Sequence, residues 1–195
     1  MNILMATNNK GKVRELSALL DEPGLHLMTL SEAGFEVSVT EDGKTFEENA
    51  LKKAMETYRI TGMPSLGDDS GLCVDLLGGA PGIYSARWAG EGASGEALIK
   101  KLLSELKDND NRGAEFVCSI ALVFSENDII TASGKCRGLI DREPHGEGGF
   151  GYDPVFYVPE VGRTFAEMTK EEKNLISHRA MAAVELKKKL KMRKA

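Results

Sequence analysis

The chain has 195 residues, 42% of them hydrophobic, with 25 Lys/Arg against 30 Asp/Glu and a formal charge of −5. This length suits a single domain over residues 1–195 with enough apolar material for a core. The negative balance argues against a general nucleic-acid binder, which carries a basic face. Cys73, Cys118 and Cys136 form no C-x-x-C pair, and only His26, His145 and His178 are present. No disulfide framework, structural zinc site or histidine-rich metal centre is therefore expected.

The N-terminus enters a short apolar stretch, residues 3–6, without a basic leader, and no apolar run reaches membrane-spanning length. The expectation is a soluble, reduced, cytoplasmic α/β chain with no membrane partner. Residues 3–6 read as a buried strand and 12–20 as a helix with Val13, Leu16, Leu19 and Leu20 on one face. Between them lie Thr7, Asn8, Asn9, Lys10, Gly11 and Lys12. Free N–H groups at a helix start attract phosphate, and two lysines add charge. The spacing is not that of a P-loop, and a plain structural helix start is the alternative.

Thr45 and Glu48 have capping-box spacing before a second helix. Phe46, Ala50, Leu51, Ala54 and Tyr58 recur on one side of it, with Glu47, Lys52, Lys53 and Glu56 assigned to the other. After Pro64 come Asp68, Asp69, Ser70 and Gly71, then a predicted strand over 72–76 and a glycine-rich loop over 78–82. A third helix is predicted over 95–106. Strands over 116–124 and 129–140, joined by a short turn, suggest an antiparallel hairpin. A short strand follows over 154–158. Thr169 with Glu172 repeats the capping box, and Ser177 is placed to cap a last helix running to about residue 191. Crossover helices together with a hairpin imply a mixed sheet.

Adjacent carboxylates at Asp68 and Asp69 suit a hard cation, and strand alternation would aim only one of them at a site; a solvated acidic turn is the plain alternative. Glu41 and Asp42 before Gly43 offer a second acidic group, or only a turn. The run from Gly146 to Gly151 contains G-x-G-x-x-G, but Pro154 and an extended segment follow where a dinucleotide motif needs a helix. Phe150 and Tyr152 between glycines could stack on a purine or simply pack in a turn. Lys173, His178 and Arg179 supply donors for carbonyl or phosphate oxygens. The basic tail over 187–194 complements a helix C-terminus and needs no ligand.

Taken in order, these segments resemble the noncanonical purine NTP (inosine triphosphate) pyrophosphatase family. The matching pieces are A-T-N-N-K-G-K from Ala6, T-F-E-E-N-A from Thr45 and D-D-S-G-L from Asp68. They continue with L-G-G-A-P-G-I-Y-S-A-R from Leu77, G-G-F-G-Y-D-P from Gly148, and Glu172-Lys173 through Ser177-His178-Arg179. The resemblance spans nearly the whole chain. It implies a two-lobed, mixed-sheet α/β fold with an active-site cleft, a homodimer and Mg²⁺ dependence. It also implies hydrolysis of dITP, ITP and XTP to the monophosphate and pyrophosphate.

On this resemblance, Thr7, Asn8, Asn9, Lys10, Gly11 and Lys12 bind substrate phosphates, and Asp69 is general base and metal ligand. Ser70, Phe150, Gly151, Tyr152, Asp153, Lys173, His178 and Arg179 bind the nucleotide. One position departs: bacterial relatives commonly carry glutamate three residues before the glycine matching Gly43, where this chain has Thr40. Neighbouring Glu41 then takes the metal role. The rival readings are the related Maf-like pyrophosphatases, which act on other nucleotides, and a nucleotide sensor that binds without turnover.

Overall fold

The computed structural model describes residues 1–193. Its strands are β1 (Asn2–Met5), β2 (His26–Thr29), β3 (Ser65–Val74), β4 (Gly113–Ser125), β5 (Asp128–Ile140), β6 (Phe156–Val158) and β7 (Arg163–Thr164). Its α-helices are α1 (Lys10–Leu19), α2 (Phe46–Thr61), α3 (Gly95–Glu105), α4 (Lys170–Ile176) and α5 (His178–Arg193). Lys194, at the end of the expected basic tail, lies outside the described residues.

The hydrogen-bonded strand order is β2-β1-β3-β4-β5-β6-β7. β1 runs parallel to β2 and to β3, with Asn2 opposite His26 and Leu4 opposite Ser65. β6 is antiparallel to both β5 and β7. The sheet is mixed, as the alternation of crossover helices and a hairpin requires. β3 begins at Ser65 and ends at Val74, so Asp68 and Asp69 sit inside a strand and not at a junction before one. β2 was not expected: its four residues are exposed or only partly buried and carry no readable alternation.

The chain divides into two compact units. The first holds Met1–Asp69, Cys118–Gly134 and the segment from His178; the second holds Ser70–Val117 and Lys135–Ser177. One core of the first unit gathers Ile3, Met5, Leu16, Leu66, Cys118, Ile120 and Leu186, joining β1, β3 and β4 to α1 and α5. A smaller one sets Ala50 and Ala54 of α2 against Ala121 and Val123. The alternation of residues 120–123 between these two clusters is the period-2 signature of a strand covered on both faces.

In the second unit Leu72, Val74, Leu102, Phe116, Phe156 and Phe165 share a core. There the Phe116 and Phe156 rings lie 4.6 Å apart between centroids. Ser85 ties this unit together: its hydroxyl accepts from Leu72 N–H at 2.9 Å, donates to Gly82 O at 2.6 Å, and its carbonyl accepts from the Tyr152 hydroxyl at 3.0 Å. The glycine-rich segment from Leu77 to Arg87 is thus an architectural joint.

Candidate active site

β3 passes α1 and α5 on one face and α2 on the other, and its two adjacent aspartates divide between them. Asp68 is fully buried. Its Oδ1 lies 2.6 Å from Lys12 Nζ; its Oδ2 accepts from Arg179 Nε at 3.1 Å and from the Cys118 thiol at 3.0 Å. Arg179, also buried, pairs through Nη1 with Glu15. Burial alone would raise the Asp68 pKa, but Arg179 and Lys12 outweigh it and hold the carboxyl far below the usual range. Burial likewise works against the Lys12 and Arg179 cations, and Asp68 overcomes it for both, so both stay charged. Burial and then Asp68 push the Cys118 thiol well up, fixing it as a donor.

Asp69 faces α2. Its Oδ2 accepts from Asn49 Nδ2 at 3.0 Å, and its Oδ1 lies 3.5 Å from Lys53 Nζ. The same ammonium lies 3.0 Å from Glu41 Oε1. Burial raises the Asp69 pKa; Lys53 and Lys12 pull it down, and Glu41 adds to the rise. Asp69 is therefore the more basic of the pair, with some solvent access, while Asp68 is locked in ion pairs. That split is what a proton acceptor and its support need.

Lys53 corrects the sequence reading, which placed it on the polar outer face of α2. It is only 7% exposed, because the buried side of the helix carries Asn49, Lys53 and Thr57 beside Ala50 and Ala54. Two carboxylates supply the cation's compensation, which apolar periodicity cannot see. Glu41 and Asp69 form an oxygen-only donor set converging on one positive charge. That set fits a hard cation. No group of three His, Cys, Asp or Glu converges among the described residues, so such an ion would complete its shell from water and phosphate oxygens, the mode Mg²⁺ favours.

α1 starts at Lys10, two residues before the expected position, and Asn9 caps it. Asn9 Oδ1 accepts from Gly11 N–H at 2.9 Å and Lys12 N–H at 3.1 Å, and Asn9 N–H donates to Thr7 Oγ1 at 3.2 Å. The N–H groups of Gly11 and Lys12, expected to be open to an anion, are thus already bonded. Asn8, Asn9 and Lys10 are exposed, and Thr7 is half-buried. His178 opens α5 and is buried.

The remaining candidates lie in the second unit. Ser70 is half-buried in β3, and Gly151 has φ +62°, which favours glycine. Buried Asp153 accepts from Phe150 N–H at 2.8 Å and from Lys173 Nζ at 2.6 Å. The Lys173 ammonium stands 5.2 Å from the Phe150 ring centroid. Tyr152 is buried and bonded to Ser85, so Phe150 is the ring of this loop that retains access.

These features define a mixed α/β protein whose charged site centres on two adjacent aspartates, one locked in ion pairs and one poised beside a lysine and a glutamate. The chain belongs to the Ham1 family, whose model matches residues 3–189. The dITP/XTP pyrophosphatase of Geobacter sulfurreducens is 52% identical over 187 residues, 95% of this chain and 94% of that protein. The dITP/XTP pyrophosphatase of Escherichia coli O157:H7 is 50% identical over 184 residues, 92% and 93% of the two chains. The solved structure of a Ham1 protein from Coxiella burnetii superposes with a TM-score of 0.90 at 41% identity, covering 98% of this chain and 99% of that one. The α/β mixed-sheet architecture read from the sequence is the architecture of this family.

Proposed function

We propose that this chain hydrolyses purine nucleoside triphosphates of the hypoxanthine and xanthine type (dITP, ITP and XTP) to the monophosphate and pyrophosphate, removing them from the nucleotide pool. The observation that carries the reading is the poised Asp69 carboxylate, bonded to Asn49 and flanked by Lys53 and Glu41. It occurs in a chain half identical to two proteins named for that activity.

In this reading Asp69 accepts a proton from the water that attacks the α-phosphorus, and the bond to the pyrophosphate oxygen breaks. Lys12, held by Asp68, sets positive charge toward the phosphates, with Lys10 and the Thr7–Asn9 turn beside it. Asp69 and Glu41 are the residues that would hold Mg²⁺, which would supply charge neutralisation for the triphosphate and activation of water. Thr40 has no carboxylate to offer, and Glu41 serves in its place. Ser70, Phe150, Gly151, Tyr152, Asp153, Lys173, His178 and Arg179 are assigned to nucleotide binding, and Asp153, bonded to Phe150 N–H and to Lys173, also shapes the loop that carries Phe150. The reading includes one functional domain over residues 1–195, a homodimer and a cytosolic location.

The deciding experiment follows pyrophosphate release from ITP with Mg²⁺. Stoichiometric IMP and pyrophosphate support the proposal. ITP binding without turnover would make the chain a sensor, and turnover of other nucleotides in preference to ITP would favour the Maf-like reading.

A further inference from the structure

Asn49 is fully buried at the start of α2, and both ends of its amide are used. Oδ1 accepts from Gly43 N–H at 2.8 Å, while Nδ2 donates to Asp69 Oδ2 at 3.0 Å. The two bonds fix the amide orientation, because a flip would set carbonyl oxygen against carboxylate and NH₂ against N–H. Lys53 follows four residues later, on the same helical face. It repeats the pattern one turn along, reaching Asp69 Oδ1 and Glu41 Oε1. Two residues of one helix thus hold the two oxygens of Asp69, and each also holds the segment that carries Glu41.

The backbone is shaped to allow this. A Cβ at Gly43 would stand 2.6 Å from Asn49 Oδ1 and 2.9 Å from Glu48 Cβ, so only glycine brings its N–H this close. A Cβ at Gly67, two residues before Asp69, would collide with Ala50 O and lie 2.9 Å from Ala54 N. The strand and helix meet at the turn bearing Asn49, with no side chain between them.

We infer that Asn49 is a positioning residue that fixes the Asp69 carboxylate and the Glu41 loop as one preassembled pair. This rests on the reading of Asp69 as base and, with Glu41, cation ligand. Asn49 acts through Asp69 and Gly43, removing the freedom of the groups assigned to the water and the cation. Losing such an orienting bond typically costs roughly 10- to 100-fold in metal affinity or activity.

The test is Asn49→Ala in the full-length protein, read by kcat and KM for ITP and, without substrate, by Mn²⁺ titration followed by electron paramagnetic resonance. The expected result is a kcat about tenfold or more lower, a KM for ITP changed by less than about threefold, and a weaker Mn²⁺ dissociation constant. A folded Asn49→Ala with wild-type Mn²⁺ affinity and kcat overturns the inference. If that variant does not fold, Asn49→Asp is used, since it keeps the volume and the acceptor for Gly43 N–H but sets an acceptor against Asp69. Its kcat should fall at least as far, and a wild-type kcat overturns the inference. Asp69→Asn, run alongside, separates the levels: if it is inactive while Asn49→Ala behaves as wild type, only the positioning role fails. If Asp69→Asn turns over normally, the underlying reading fails and takes this inference with it.

Discussion

Lys12 Nζ lies 2.6 Å from Oδ1 of Asp68, a carboxylate with no solvent exposure, while its neighbour Asp69 faces the opposite side of the strand. Identical side chains one residue apart therefore have separable losses. Asp68→Asn removes the anion paired with Lys12 and one of the two paired with Arg179, and breaking a buried pair in this way costs about 3–5 kcal/mol. Thermal unfolding should show that loss. Asp69→Asn keeps the shape and should unfold near the wild-type temperature, while turnover of ITP falls by roughly 10²-fold or more. If Asp69→Asn retains near-normal turnover, Asp69 is not the base.

The acidic loop should reveal itself through the cation. Glu41 Oε1 and Asp69 Oδ1 share the Lys53 ammonium at 3.0 and 3.5 Å, so both carboxylates already converge on positive charge. Glu41→Gln should raise the Mg²⁺ concentration for half-maximal activity, and Thr40→Ala, at an exposed position, should not. An unchanged Mg²⁺ requirement in Glu41→Gln would return the second-ligand role to another acid.

Protons and Mg²⁺ should compete for Asp69. Burial raises its pKa, with Lys53 and Lys12 offsetting part of the rise. The folded chain then keeps this proton to a higher pH than the unfolded chain, whose aspartates titrate near ~3.9. Between the ordinary value and the raised one the native state binds more protons, so this group's contribution to stability falls as pH rises. Mg²⁺ should reverse that fall by binding the ionised form. Asp68 has the opposite sign: its depressed pKa contributes stability above the ordinary carboxylate range, lost as pH falls through it. Melting curves against pH, with and without Mg²⁺, resolve both. A Mg²⁺ requirement that does not rise on acidification would remove Asp69 from the cation site.

Much of this was legible in the sequence. The D-D-S-G run stood out as paired carboxylates and as part of the family resemblance, while period-2 alternation splits its aspartates and period-3.6 patterning gives the strand–turn–helix carrying Lys12. Asn49 and Lys53 were not, since helical periodicity weights apolar residues and reads a lysine as solvated. The available signal was their spacing of four beside Ala50 and Ala54, also four apart, with Gly43 and Gly67 on the flanking segments: small residues where backbones approach, and polar ones in register with them. The Asn9 cap was hidden because the same asparagine suits a turn, a cap or a ligand contact.

The base preference is the sharpest remaining test. Hypoxanthine and xanthine carry a 6-oxo group where adenine presents an amino donor. If His178 or Arg179 donates to that oxygen, adenine sets donor against donor, a mismatch worth up to about 10⁴-fold in a buried site. Guanine keeps the oxygen, so its rejection must act on the 2-amino group. ITP and XTP should therefore exceed both ATP and GTP in kcat/KM. Arg179 also pairs with Asp68 and Glu15, so Arg179→Ala should lower stability together with selectivity. His178→Ala leaves the Arg179 pairs with Asp68 and Glu15 in place, and should erode discrimination against ATP with the smaller loss in unfolding temperature. Measuring kcat/KM for the four triphosphates in wild type and both variants, beside their melting points, separates readout from scaffolding. Equal wild-type efficiencies for ITP and ATP would end the base-readout argument and leave a general nucleoside triphosphate pyrophosphatase.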